Sequence, residues 1–183
     1  LLLNGRVVAN SSLPSIFDSI QEQSYWHKGQ LIAVTLSPAN FQKHSDTIRA
    51  LPDKSDLSLF QKSFPAVQVE VKLLNYLWDF VSGNPEEIAK DFHRIKPALN
   101  FKHMFDHCSV DQQAVIYKPE NLYVGKNTRI EAFAVLNAET GPIYIDENCV
   151  IQAFTRIEGP AYIGKGTQLF SAKISGGSSF GPA

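Results

Sequence analysis

The chain has 183 residues, enough for one or two domains, with a formal net charge of −1 and 44% hydrophobic residues. This near-neutral charge argues against nucleic acid or an acidic membrane surface as a partner. The two cysteines, Cys108 and Cys149, do not make a disulfide framework, and no apolar stretch approaches the roughly 18 residues of a membrane span. We therefore expect a cytoplasmic globular protein.

Residues 1–83 predict a partial α/β domain. Buried strands are expected at residues 1–8, 31–36 and 66–71, the first interrupted by Asn4, Gly5 and Arg6. Helices are expected at residues 13–20 and 38–51, each with a proline in its first turn. Strands that alternate with helices are typical of an α/β layer.

Residues 84–110 predict a helical linker arm. An aromatic helix over residues 72–81 is expected to stop at Ser82 and Gly83. Asn84 then has the features of a helix cap, with Pro85 in the first position and Glu87 three residues after the cap. We predict that this second helix reaches residue 94 and that a further helical stretch covers residues 97–106.

An aliphatic or aromatic residue returns every six residues in the last third of the chain. The series is Val124, Ile130, Leu136, then Ile145, Ile151, Ile157, Ile163, Leu169, then Ile174 and Phe180. A nine-residue gap before Ile145 holds a turn-forming run around Thr140, Gly141 and Pro142, and one residue is missing before Ile174. Small residues stand four places after most of these positions: Thr128, Ala134, Thr140, Cys149, Thr155, Ala161, Thr167 and Ser178.

A period of six fits neither an α-helix nor an alternating strand. It fits a triangular coil in which each hexapeptide forms one side, the aliphatic residue points inward and the small residue occupies a corner. We predict a hexapeptide-repeat left-handed parallel β-helix over residues 111–183, taking the handedness from the known architecture. The alternative is a β-sandwich whose spacing arises by chance.

Both ends of the sequence suggest a longer protein. Leu1 opens directly on an apolar run, and Phe180 and Gly181 begin another coil just before the sequence stops. We expect the β-helix to be truncated at its C-terminal end and residues 1–183 alone to be inactive.

This layout resembles that of bacterial sugar-nucleotide enzymes, the group of bifunctional N-acetylglucosamine-1-phosphate uridyltransferases and glucosamine-1-phosphate acetyltransferases. It looks closest to a branch of sugar nucleotidyltransferases. The segments that carry the resemblance are Leu3-Asn4-Gly5-Arg6-Val7, Tyr76-Leu77-Trp78-Asp79, Asn84-Pro85-Glu86-Glu87-Ile88, Gly141-Pro142-Ile143-Tyr144-Ile145, Glu158-Gly159-Pro160-Ala161-Tyr162 and Gly176-Gly177-Ser178-Ser179-Phe180.

The resemblance implies a nucleotide and a sugar phosphate as substrates, Mg²⁺ as cofactor and acetyl-CoA as a possible co-substrate. Such enzymes place an Asp after a Gly at the end of a central strand to hold Mg²⁺. Here Gly5 is followed by Arg6, which cannot bind Mg²⁺ but could clamp a phosphate. The acetyltransferase half uses a His as general base, and no His lies within the repeat.

No catalytic residue can be assigned, but several residues are candidates for substrate binding. Asn4, Gly5 and Arg6 follow an apolar strand, where α/β sites cluster, or form a plain turn. Lys72 could meet a phosphate or be a solvated lysine. Trp78 and Asp79 could face a sugar or base, or be a core aromatic residue and a surface acid.

Two further candidates are weaker. His103 and His107 have the i, i+4 spacing of metal ligands, but no third ligand at matching spacing appears, so a surface or interface role is favoured. Cys149 stands at a small-residue position and is expected to pack in the core.

Three hypotheses follow. The first is a nucleotidyltransferase that joins a sugar 1-phosphate to a nucleoside triphosphate and releases pyrophosphate. The second is an acyltransferase that uses acyl-CoA in grooves between β-helices. The third is a non-catalytic module in which the β-helix assembles a homotrimer and the α/β part is degenerate.

Overall fold

The computed structural model describes residues 1–9, 13, 21–49, 57–101 and 104–182. The chain forms two compact units, Leu1–Tyr76 and Leu77–Ala183. The helix expected at residues 13–20 lies outside the described residues, except for Leu13. The domain boundaries expected after residues 83 and 110 stay predictions.

The first unit contains a four-stranded sheet and a separate two-stranded ribbon. Its strands are β1 (Leu2–Leu3), β2 (Val7–Val8), β3 (Gln23–His27), β4 (Gln30–Thr35), β5 (Ala66–Gln68) and β6 (Lys72–Leu73). The sheet order is β1-β4-β3-β5, with β1 and β3 antiparallel to β4 and with β5 parallel to β3. The ribbon pairs β2 with β6 in antiparallel fashion.

Within the described residues of the first unit, three short helices accompany the sheet. They are α1 (Pro38–Lys43), α2 (Ser45–Arg49) and α3 (Ser58–Ser63). The single helix expected over residues 38–51 is therefore two helices within its described part. His44 ends α1, with its backbone N–H bonded to the carbonyls of Asn40 and Gln42.

Strand β3 was not predicted, because its sequence places polar and aromatic residues side by side. It forms a hairpin with β4 through Lys28 and Gly29, whose φ angles are +46° and +77°. Positive φ at both turn residues matches the twist of paired strands, so the Lys-Gly pair was the local signal for this hairpin. Tyr25 and Trp26 are buried on it, in the two small apolar clusters of the unit.

The second unit begins with a long helix, α4 (Trp78–Ile95). This corrects two predictions: Lys72–Leu73 is a strand rather than a helix start, and the helix does not break at Ser82 and Gly83. A proline in a helix interior normally weakens it. Here Ile88 and Phe92, on the same face one and two turns after Asn84, are buried and stabilise the continuous helix.

Turns of 3₁₀ helix at Lys96–Ala98 and Met104–His107 follow α4, replacing the helical stretch expected over residues 97–106 in its described part. The chain then enters a parallel solenoid. Its strands are β7 (Ser109–Val110), β8 (Val115–Tyr117), β9 (Leu122–Val124), β10 (Arg129–Ile130), β11 (Val135–Asn137), β12 (Ile143–Ile145), β13 (Val150–Ile151), β14 (Arg156–Glu158), β15 (Ala161–Ile163), β16 (Gln168–Leu169), β17 (Lys173–Ile174) and β18 (Ser178–Phe180).

These strands form three parallel sheets, β7-β10-β13-β16, β8-β11-β14-β17 and β9-β12-β15-β18, which are the three sides of about four coils. The predicted left-handed parallel β-helix is confirmed. In register, Ile130 stacks on Ile151 and Leu136 on Ile157, and all four side chains are buried. Stacked aliphatic side chains form one continuous core through the coils.

The first coil begins earlier than the repeat analysis indicated. Strand β7 pairs with β10, and β8 pairs with β11, so residues 109–124 already form a complete coil. Its inward positions, Val110, Ile116 and Leu122, are also six residues apart. The repeat analysis did not include them, because their six-residue series is two residues out of phase with the series that starts at Val124, which is also buried.

The insertion in the repeat lies at a corner of the coil, in the turn-forming run around Thr140, Gly141 and Pro142. Residues 138–142 connect β11 to β12, whereas Gly159 and Pro160 alone connect the equivalent strands of the next coil. Gly141 packs directly on Pro160, and the hydroxyl of Thr140 donates to the carbonyl oxygen of Gly159 at 2.7 Å. The extra residues thus form a local bulge without disturbing the stacking.

Candidate functional site

Asn4, Gly5 and Arg6 form a tight turn between β1 and β2. The backbone N–H of Val7 donates to the carbonyl of Asn4 at 3.1 Å, and that of Arg6 donates to Asn4 Oδ1 at 3.0 Å. Asn4 also donates from Nδ2 to the carbonyl of Leu31 at 3.1 Å. An Asn that bonds its own turn in this way is a common turn device. The side chain of Asn4 is therefore occupied in holding the turn.

The turn presents Arg6 beside a groove. The guanidinium of Arg6 is exposed and donates from Nη2 to Gln30 Oε1 at 2.5 Å. Gln30 is neutral, so this contact orients the guanidinium without offsetting its charge. The adjoining groove, of about 510 Å³, is lined by β1, the turn, β4 and two residues at α3, Leu57 and Phe60. A positive, oriented guanidinium at the mouth of an apolar groove can bind a phosphate through two parallel hydrogen bonds.

Lys72 lies close to this turn in the backbone pairing. It stands opposite Val8 in the β2–β6 ribbon, and the N–H of Leu74 donates to the carbonyl of Arg6 at 2.8 Å. The structure thus places Arg6 just before strand β2 of the ribbon and Lys72 in its strand β6. Gln30 and Phe60 were missed by sequence reasoning, because they are distant in sequence and have no motif of their own.

The donor set around the turn does not fit Mg²⁺. A magnesium site needs carboxylate oxygens, whereas the turn and its hydrogen-bond partners supply an amide, a guanidinium and backbone groups. Among the described residues, no group of three His, Cys, Asp or Glu side chains is placed to hold a metal ion.

The remaining candidates belong to the second unit. Trp78 and Asp79 form the first turn of α4, and the Trp78 side chain is 64% exposed, so it is not a core aromatic residue. His103 lies outside the described residues, which leaves the His103–His107 pair a prediction. Cys149 is fully buried in the solenoid core, donates to the carbonyl of Gly164 at 3.2 Å, and has its thiol pKa raised by burial. It is a packing residue, as predicted.

Comparison with known proteins adds a family to this description. The α/β unit carries a cationic turn and is followed along the chain by a β-helix. A family model described as sugar nucleotidyl transferase matches residues 1–98. The chain belongs to this sugar nucleotidyl transferase family. No curated protein and no solved structure has significant similarity to the chain.

The matched region covers the whole first unit and nearly all described candidate residues. It also reaches into α4 and ends just after it. Within the described residues, no helix combines the length and apolar character needed to cross a bilayer.

Proposed function

We propose that the protein is a sugar-1-phosphate nucleotidyltransferase. The observation that carries this proposal is the family match over the unit that holds the Arg6 turn. In this reaction a phosphate oxygen of the sugar 1-phosphate attacks the α-phosphorus of a nucleoside triphosphate. The bond between the α-phosphorus and the bridging oxygen breaks, and pyrophosphate leaves with that oxygen.

Positioning and charge neutralisation provide most of the catalysis in such a transfer. Arg6 is suited to both tasks, because its guanidinium is held by Gln30 and keeps its charge. Its role in the proposal is to bind a phosphate of either substrate at the mouth of the groove. The apolar lining of the groove, from β1, β4 and Leu57, would then hold the base or the sugar.

A pyrophosphate-release assay tests this function. It uses the longest form of the protein that contains these residues, a panel of nucleoside triphosphates and sugar phosphates, and buffers with and without Mg²⁺. We expect Arg6→Ala to lower kcat/KM by about 100-fold, since a charged hydrogen bond to a phosphate is lost. Lys28→Ala, which removes an exposed positive charge from the hairpin turn of the same unit, is the matched control.

The proposal fails if no substrate pair yields pyrophosphate with the unmodified protein. Equal losses from Arg6→Ala and Lys28→Ala would instead assign the effect of Arg6 to general charge. Replacement of Arg6 by Lys separates the two cases further, because Lys keeps the charge and loses the bidentate geometry.

An acyl-CoA-dependent acyltransferase is the alternative, with acetyl-CoA as co-substrate. The β-helix is the feature that favours it, since many acyltransferases contain this repeat. The solenoid strands carry no histidine to act as general base. Release of CoA thiol from acetyl-CoA in the presence of an acceptor sugar, lost when the coils are deleted, would support this alternative.

We also propose that the β-helix assembles a homotrimer, whether or not the first unit is catalytic. A surface feature supports this. Phe133 and Phe154 occupy the same corner of adjacent coils, stack at 5.5 Å, and are 49% and 70% exposed. Both have positive φ, 61° and 63°, a conformation that costs a non-glycine residue about 1 kcal/mol or more. Exposed apolar residues held at such a cost suit a contact between copies of the chain.

A further inference from the structure

A groove of about 390 Å³ lies within the second unit, between α4 and the sheet formed by β9, β12, β15 and β18. The helix contributes polar and apolar residues to one wall, and the sheet contributes the other. The lining residues that matter here are Asn84, Asp91, Arg94, Tyr144, Asp146 and Tyr162. This volume is typical of a small-molecule site.

The two walls are held together by specific contacts. Asn84 donates from Nδ2 to the carbonyl of Gly177 at 2.6 Å and to Ser179 Oγ at 3.0 Å. Pro85 packs so closely on Gly177 that a Cβ there would lie 2.6 Å from the proline ring. Ile88 is buried one turn further along the helix. The groove is therefore preformed, and a ligand would meet little ordering cost.

A stack of tyrosines forms the sheet wall. Tyr123, Tyr144 and Tyr162 occupy equivalent outward positions in three successive coils, with ring centroids 4.9 and 5.7 Å apart. In the fourth coil the equivalent residue is Ser179. The stack thus ends inside the groove, where the small serine leaves room beside the ring of Tyr162. The carbon–hydrogen face of a sugar ring is apolar and packs well against an aromatic ring.

The polar lining offers both donors and acceptors. Arg94 and Asp91 pair at 3.0 Å on the helix wall. On the sheet wall, Asp146 accepts a hydrogen bond from the Glu147 N–H at 2.7 Å. Burial, and secondarily the Asp146 carboxylate, raises the pKa of the neighbouring Tyr162 hydroxyl. Burial raises the pKa of Tyr144 to about 12, so its hydroxyl is neutral at physiological pH. Carboxylates and guanidinium groups of this kind bind neighbouring hydroxyls in pairs.

Asp146 is not required by the coil. The equivalent corner positions in the other coils are Gly125, Gly164 and Gly181, so the fold itself does not need a carboxylate there. Together with Glu87 and Asp91 it gives the lining three carboxylates and one cation, Arg94. Lys90, beside the lining, pairs with Glu87 at 3.4 Å, so the balance of these five groups is one negative charge. This negative balance disfavours a phosphate and separates the groove from the substrates of the proposed reaction.

We propose that the groove between α4 and the tyrosine stack binds a hexose-sized sugar that carries no phosphate. The sugar ring lies against Tyr162, and its hydroxyls bond to Asp146 and to the Asp91–Arg94 pair. This site goes beyond the proposed nucleotidyl transfer and does not depend on it, because every residue involved lies in the second unit.

Saturation-transfer NMR and titration of the full chain test this site. The probes are methyl glycosides of hexoses, N-acetylhexosamines and 6-deoxyhexoses. We expect saturable binding of at least one probe and a roughly tenfold weaker affinity in Asp146→Asn, which keeps the shape but loses the charged acceptor. The control is Glu158→Gln, which removes a carboxylate from β14, outside the groove, and should change the affinity less than about twofold.

Several results would overturn the site: no saturable binding by any probe, equal effects of Asp146→Asn and Glu158→Gln, or tight binding of a sugar phosphate that survives Arg6→Ala. Asp91→Asn, on the exposed helix surface, repeats the test should Asp146→Asn lower the unfolding midpoint. Pyrophosphate release by Asp146→Asn should equal that of the unmodified protein. The sugar site and the transfer function can therefore fail separately.

Discussion

At the scale of single residues, the solenoid depends on positions where backbones of adjacent coils touch. Gly141 and Gly159 face each other across the corner that holds the extra residues 138–142. A Cβ on Gly159 would overlap the carbonyl oxygen of Gly141, and backbone atoms have little freedom to move away. Glycine at this corner is thus a packing requirement.

Gly159→Ala should therefore lower the free energy of unfolding of the solenoid by about 1–3 kcal/mol, the usual cost of overpacking. Urea unfolding followed by circular dichroism measures this. Gly181→Ala is the matched control, because a Cβ there meets nothing within 4 Å; it should change stability by less than about 0.5 kcal/mol. Equal effects of the two substitutions would contradict the proposed contact.

At the scale of elements, α4 and the tyrosine stack form one packed layer. Phe92 packs edge-on against Phe101, which packs edge-on against Tyr123 at the base of the stack. Burial, and secondarily the nearby Asp146 carboxylate, raises the pKa of Tyr144 to about 12. The neutral hydroxyl is the form that this layer accommodates.

This shift has a defined consequence for stability. The pKa of Tyr144 in the folded protein exceeds the unfolded value of about 10. The neutral Tyr144 side chain therefore contributes fully to the free energy of unfolding below pH 10, and this contribution is lost as the pH rises from about 10 to 12. Absorbance titration of tyrosinate should show a late-ionising component whose amplitude Tyr144→Phe lowers; Tyr162, whose pKa burial also raises, accounts for the remainder. The exposed Tyr117 supplies the control, since Tyr117→Phe should leave that component in place. An unchanged late-ionising component in Tyr144→Phe would refute its assignment to Tyr144.

A second element-scale prediction concerns how α4 is held. Asn84→Ala removes the side-chain hydrogen bonds to Gly177 and Ser179 of the fourth coil and should lower the free energy of unfolding of the second unit by about 1–2 kcal/mol. Hydrogen exchange measured along α4 should accelerate. Ser82→Ala, which removes only a bond within the helix, is the comparison and should have a smaller effect. Unchanged exchange in Asn84→Ala would show that the apolar contacts alone hold the helix.

At the scale of the whole molecule, the proposed trimer gives a direct prediction. Light scattering after size exclusion should show three times the chain mass, and Phe154→Asn should shift the protein towards monomer. Asn suits the positive φ of this corner, as Asn127 and Asn148 show at another corner, so folding is preserved. Phe105→Ser, an exposed phenylalanine outside the stack, should leave the mass unchanged. A monomer at high concentration would rule out the trimer.

The β-helix could be predicted from the sequence alone, because each coil contacts only its neighbours and the stacking requirement repeats every six residues. The sequence also located the Asn4–Arg6 turn, which two local hydrogen bonds close: those from the Arg6 N–H to Asn4 Oδ1 and from the Val7 N–H to the Asn4 carbonyl. Tertiary structure decided what depends on distant pairing. Strand β3 is held by β4 and β5 on either side, and Arg6 is oriented by Gln30. Helix α4 continues past Pro85, where the buried Ile88 and Phe92 and the bond from Asn84 to a carbonyl 93 residues away stabilise it. These features cannot be predicted from the local sequence, because the hydrogen bonds and buried surface that stabilise them come from other parts of the chain.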